Sequence, residues 1–137
     1  MQQFNKNVLF VEDCPSDVFL LEEMLDGIGN HNINITAVPR LIDAFKCMDK
    51  GSFDLILLDL NLVDMDGVTS IVALAAEFPD TPIIVYSGQE DSRIKLNAYM
   101  CGASGYLVKG RETGATLEKA IMNARLLHSE SRPVVVV

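Results

Sequence analysis

Residues 54–67 read DLILLDLNLVDMDG, and the unbroken apolar run Leu55-Ile56-Leu57-Leu58 inside them decides the fold. Side chains alternate sides along a strand, so a run without polar residues is covered on both faces. Asp59 ends the run, and Asn61 and Gly67 follow. Three other short runs end in the same way. Val8-Leu9-Phe10-Val11 ends in Glu12 and Asp13, Ile83-Ile84-Val85-Tyr86 in Ser87, and Tyr106-Leu107-Val108 in Lys109. In a parallel sheet all of these polar groups emerge at one rim.

Between the runs the apolar spacing becomes helical. The first strand is expected at about 7–12. Pro15-Ser16-Asp17 opens a helix with Ser16 as its cap, an inward stripe of Val18, Leu21, Leu25 and Ile28, and a stop at Gly29. Ile33, Ile35 and Ala37 alternate with polar residues, which marks a half-exposed edge strand. A second helix carries Leu41, Ala44, Phe45 and Met48 and ends near Gly51. The third strand is expected at about 54–59. Asp66 is the expected cap of a third helix with the stripe Val68, Ile71, Ala75 and Phe78, and Pro79 and Pro82 bracket the next turn. A fourth helix at about 91–101 has its apolar residues spread around it: Ile94, Leu96, Ala98, Tyr99 and Met100. Gly102 and Gly105 frame strand five, and a last helix is expected at about 114–130.

Strands alternating with helices imply right-handed crossovers and an α/β fold, a doubly wound parallel sheet of five βα units. With the second strand at an edge the order is 2-1-3-4-5. Glu12, Asp13 and Asp59 then fall at the switch point where such sheets bind ligands.

A chain of 137 residues is expected to form one domain. Its net charge of −8 argues against direct nucleic-acid binding and against an anionic membrane surface. No run approaches the roughly 20 apolar residues of a membrane span, and the N-terminus carries no signal-like apolar stretch. Cys14, Cys47 and Cys101 are odd in number and far apart, which points to a reducing cytoplasm rather than a disulfide framework. Pro133 should end the last helix. Residues 132–137, with four valines, read as a tail or a truncated linker after a domain at 1–131.

Carboxylates with oxygen-only company suit a hard cation such as Mg²⁺ or Mn²⁺. His31 and His128 read as surface residues. A metal among Glu12, Asp13 and Asp59 would hold phosphate oxygens in line with an attacking carboxylate, making Asp59 a nucleophile that forms an acyl phosphate. Lys109 would add a point charge and Ser87 a hydroxyl donor.

The stretches VLFVEDCPSD, DLILLDLNLVDMDG, PIIVYSG and GASGYLVKG, in this order and spacing, resemble the receiver domain of bacterial two-component response regulators, single-domain and chemotaxis-regulator-like. The likeness spans about residues 6–128 and implies a flavodoxin-like fold. It implies that Asp59 accepts a phosphoryl group from a histidine kinase or a histidine phosphotransfer protein. Glu12, Asp13, Asp59 and the backbone carbonyl of Asn61 would hold Mg²⁺, and Ser87, Tyr106 and Lys109 would sense the phosphate. Phosphorylation would draw Ser87 inward and let Tyr106 rotate into the space left behind. The face of helix four, strand five and helix five would then change, for a downstream protein or a second copy of the chain. Asn61 and Gln89 would flank the attacking water and tune dephosphorylation.

The sequence departs from that family's pattern in three places. Val63 and Gly110 stand where proline is usual, and Ser87 stands for the commoner threonine. A cis bond before a non-proline residue costs about 3–4 kcal/mol, so a trans Lys109–Gly110 bond is expected. Three other readings are open to these residues. An aspartyl-nucleophile phosphatase of the haloacid dehalogenase type would carry an acid two residues after the nucleophile, and Asn61 stands there. A receiver-like scaffold that no longer cycles phosphate conflicts with the intact acid set. A dinucleotide site fails for want of a glycine fingerprint after strand one. The expectation is therefore a phosphoacceptor with at most slow self-dephosphorylation, not an enzyme.

Overall fold

The apolar run at 55–58 becomes the middle strand of a five-stranded parallel sheet in a computed structural model that describes residues 5–29, 32–65 and 67–131. The strands are β1 (Lys6–Val11), β2 (Ile33–Val38), β3 (Leu55–Leu58), β4 (Ile83–Ser87) and β5 (Gly105–Val108), in the order β2-β1-β3-β4-β5. The helices are α1 (Pro15–Gly27), α2 (Leu41–Lys50), α3 (Thr69–Glu77), α4 (Ser92–Met100), α5 (Gly114–Met122) and α6 (Ala124–Ser131). This is the doubly wound, flavodoxin-like arrangement read from the sequence.

Alternation along the strands divides the core in two. Leu9, Val11, Ile56, Leu58 and Val85 face one side and pack with Leu41, Ala44, Ile71, Leu74 and Ala98. Val8, Phe10, Leu55, Leu57 and Ile84 face the other and pack with Leu21, Leu25, Leu117 and Ile121. β1, β3 and β4 thus bury both faces, which is why their sequences run apolar without interruption. β2 lies at the edge and alternates in burial over Ile33–Thr36, but Ala37, expected to face inward, is exposed and Val38 is buried in its stead.

Several local expectations need correction. Ser16 does not cap α1. The cap position is Cys14, and Pro15 occupies the first turn, where its fixed φ and missing N–H cost nothing. The N-cap of α3 is Val68, and Asp66 lies outside the described residues. The buried positions of α3 are Ser70, Ile71 and Leu74, while Ala75 and Phe78 are only half-buried. The expected last helix is two, interrupted at Asn123, a residue that competes poorly in helix interiors. The N-terminus of α5 is fixed by a capping box between Thr113 and Thr116. Ala98 is the one buried side chain of α4, while Leu96 and Met100 are 60% and 77% exposed.

His128 is not an ordinary surface residue. Its ring lies 2.9 Å from Ser104 Oγ through Nδ1 and 2.8 Å from the Pro79 carbonyl through Nε2. Those partners precede β5 and β4, so α6 is fastened to the sheet at the strands' N-terminal ends. His31 and residues 132–137 lie outside the described residues. Among the described residues no helix is long and apolar enough to cross a membrane.

α1 and α5 approach closely at Gly114. A Cβ built there would stand 2.6 Å from the Met24 carbonyl oxygen and 3.1 Å from Ile28 Cγ2. Backbone cannot yield as a flexible side chain would. Gly114→Ala should therefore destabilise the protein by about 1–3 kcal/mol, read as a lower urea midpoint. An unchanged midpoint would show that the two helices can part freely.

Candidate functional site

Register places the polar groups. Val11 pairs with Leu58, so the residues that follow them, Glu12 and Asp59, emerge side by side. The Asp59 N–H donates to the Val11 carbonyl at 3.0 Å, which carries the pairing one residue past the strand. At the other side Ser87 pairs with Val108, and the Lys109 N–H donates to the Ser87 carbonyl at 2.8 Å. Residues 12, 59, 87 and 109 thus share one rim because β1, β3, β4 and β5 end together.

The side chains converge. Carboxylate oxygens of Glu12, Asp13 and Asp59 lie within 4.8 Å of one another, with Glu12 and Asp59 buried and Asp13 half-buried. The Lys109 ammonium donates to Glu12 Oε1, donates to Asp17 Oδ2 at 2.9 Å, and stands 3.7 Å from Asp59 Oδ2. It also lies 5.9 Å from the centre of the Tyr86 ring. The Asn61 N–H donates to Asp59 Oδ1 at 3.2 Å, and the Cys14 N–H to Glu12 Oε2 at 3.3 Å. These backbone donors fix how the acids point.

Crowding shows in the protonation equilibria. The Glu12 carboxyl is pushed up to about 7, by burial first and by the neighbouring Asp59 next, against the lowering pull of Lys109. Burial alone would lower Lys109, but hydrogen bonds to Glu12 and Asp17 outweigh it and hold the ammonium above the ordinary lysine value. A cation among the acids would relieve this repulsion, and an oxygen-only donor set fits a hard divalent ion.

The remaining expected residues sit close by. The Ser87 side chain is buried, and its Oγ accepts the Gln89 N–H at 3.2 Å. Tyr106 is 9% exposed and donates its phenol to the Gln89 carbonyl at 2.8 Å. Its ring already lies in the interior, so inward rotation is not a change left to make from this conformation. Gln89 and Asn61 are both exposed, and the Asn61 backbone lies against Asp59. No peptide bond among the described residues is cis, and Gly110 turns the chain with φ of 80°. The lysine reaches the acids across a trans bond, as expected before a non-proline residue, and the positive φ that follows suits glycine.

Two residues escaped the sequence reading. Asp17 holds Lys109, and its place one turn into α1 after the acidic pair was the available signal. Asp64, in the loop after Asp59, accepts the N–H groups of Leu41 and Ile42 at 3.0 and 3.1 Å and so caps α2 from a distance. Nothing in the local sequence could show that long-range cap.

A family model described as response regulator receiver domain matches residues 8–121. The transcriptional regulatory protein ZraR of Escherichia coli K12 is 28% identical over 137 residues, covering 98% of this chain and 30% of that protein. The cell cycle transcriptional regulator CtrA of Caulobacter vibrioides NA1000 is 33% identical over 102 residues, covering 74% of this chain and 43% of that protein. The chain thus spans less than half the length of these relatives. Among solved structures, the receiver domain of an HD domain-containing protein from Pseudomonas fluorescens Pf-5 superposes with a TM-score of 0.80 at 20% identity, over 98% of this chain and 97% of that one. The receiver domain of a sensor histidine kinase from Pseudomonas aeruginosa PAO1, with magnesium coordinated in its active-site cleft, gives 0.74 at 25% identity, over 88% and 98%.

The raised Glu12 value sets a pH dependence. The folded metal-free protein binds more protons than the unfolded chain between the ordinary glutamate value of 4.5 and about 7. The stability linked to Glu12 is therefore full below the lower value and lost as pH rises through the upper one. Relative to Glu12→Gln, the wild type should lose about 1–3 kcal/mol between about pH 5 and pH 8 in urea unfolding without metal. A wild-type–variant difference that stays flat over this range would show that Glu12 is not so perturbed.

Proposed function

The chain belongs to the response regulator receiver domain family, and from that premise we propose that it is a signalling phosphoacceptor whose Asp59 takes a phosphoryl group from a histidine kinase or histidine phosphotransfer protein. The observation that carries this reading is the convergence of Glu12, Asp13 and Asp59 within 4.8 Å, with the Lys109 ammonium 3.7 Å from Asp59.

An Asp59 carboxylate oxygen attacks the donor's phosphorus. The new O–P bond forms as the N–P bond to the donor imidazole breaks, and the imidazole leaves with the bonding pair. The product is an acyl phosphate. Glu12, Asp13, Asp59 and the Asn61 carbonyl would hold a magnesium or manganese ion, which neutralises charge on the transferring oxygens when bound. Lys109 offers its positive charge 3.7 Å from Asp59 Oδ2, and Ser87 can turn its hydroxyl from the Gln89 N–H to a phosphoryl oxygen.

The output follows from the same groups. Ser87 and Tyr106 both hold the backbone of Gln89, one by accepting its N–H and the other by donating to its carbonyl. Reorienting Ser87 toward phosphate releases one of these ties and changes the loop that leads into α4. The exposed Leu96, Tyr99 and Met100 on α4 give a downstream protein or a second copy an apolar surface to read. Asn61 and Gln89 flank the approach of water to the acyl phosphate and tune its lifetime. The net charge of −8 gives these 137 residues no basic footprint for contacting DNA themselves. The cytoplasm suits a partner kinase's catalytic half.

Incubation with Mg²⁺ and acetyl phosphate should add one phosphoryl group to the intact protein, read by mass spectrometry. Asp59→Asn should abolish the labelling, and chelation of the metal should reduce it by at least tenfold (about 1.4 kcal/mol or more of lost stabilisation). Labelling that persists in Asp59→Asn would reject the assigned acceptor. Rapid multiple turnover of a phosphoester would favour a phosphatase instead.

A further inference from the structure

Lys109 has more carboxylates than it needs. Glu12, Asp17 and Asp59 all lie within ion-pair distance of one ammonium. Glu12 and Asp59 belong to the three-acid group that could take a metal, and among the described residues Asp17 does not. Asp17 sits in the first turn of α1, and its side chain is 33% exposed. Its carboxylate therefore keeps part of its hydration there.

The two states of such a site make opposite demands on the lysine. A divalent cation among Glu12, Asp13 and Asp59 repels an ammonium standing 3.7 Å from Asp59. A phosphoryl group on Asp59 attracts that ammonium. The lysine therefore needs an anchor that a cation among the three acids does not claim. Asp17 is one, at 2.9 Å, held by the same ammonium that donates to Glu12.

Resting on the phosphoacceptor reading above, we propose that Asp17 is a positioning residue for Lys109, holding the ammonium clear of a cation among the three acids and yielding it to phosphoryl oxygens on Asp59. Asp17 then favours metal binding and opposes capture of the phosphate. Without it the lysine falls back on Glu12 and Asp59. It competes there with the metal, and it is freer to engage an anion.

The test is a double-mutant cycle on the full chain. Mg²⁺ affinity is read by NMR titration for wild type, Asp17→Asn, Lys109→Ala and the double variant. Asp17→Asn should weaken Mg²⁺ binding about threefold when Lys109 is present and leave it unchanged in the Lys109→Ala background. At saturating Mg²⁺, Asp17→Asn should bind beryllofluoride about threefold more tightly. Asp17→Glu, which keeps the charge, should stay near wild type on both counts. An equal loss of Mg²⁺ affinity with and without Lys109 would reduce Asp17 to a distant charge and overturn the proposal. So would unchanged Mg²⁺ binding, or weaker beryllofluoride binding, in Asp17→Asn. A wild type that binds neither Mg²⁺ nor beryllofluoride would instead overturn the underlying phosphoacceptor reading.

Discussion

The pairing of Val11 with Leu58 is the constraint on which the site depends. It sets two carboxylates, Glu12 and Asp59, next to each other at the ends of buried strands, where water cannot separate them. Burial first, and the neighbouring Asp59 next, raise the Glu12 value. A slip of one residue would turn one of the two acids to the opposite face of the sheet. The hydrophobic alternation that fills both halves of the core forbids such a slip. Packing far from the acids thus holds them in a geometry they would not choose by themselves.

Lys109 is the counterweight. It arrives from β5, two strands from β3, and its ammonium lies 5.9 Å from the centre of the Tyr86 ring as it meets the acids. Burial would disfavour its charge, but the surrounding carboxylates reverse that preference. One cation does not neutralise Glu12, Asp13, Asp17 and Asp59 together. The site is left short of positive charge, which is the physical reason it suits a divalent ion. Gly110 belongs to the same arrangement, since a residue free to adopt positive φ lets the chain turn directly after the lysine.

The sheet order was legible because doubly buried strands announce themselves as unbroken apolar runs, and β2 announces its edge position by alternating. The residues that end those runs were legible as a group for the same reason: a strand's last residue has a fixed place on the rim. Helix termini were less so. Ser16 has the right chemistry for a cap, but Pro15 starts the helix one position earlier, and the break at Asn123 is a small local effect inside an otherwise continuous pattern. Asp64 and Asp17 act across gaps in sequence that only the folded chain closes. The orientation of Tyr106 was beyond reach too, since it depends on how loop backbone presents the Gln89 carbonyl.

The histidine bridge from α6 to Ser104 and Pro79 gives the molecule a polarity. Both anchors sit where strands begin, whereas the acids sit where strands finish. The last described helix is therefore moored at the pole remote from Asp59. Among the described residues, the vestibule over that aspartate is walled by connecting segments and the opening turn of α1. The groups that moor α6 and the acids that could hold a metal are thus separated by the full length of the strands.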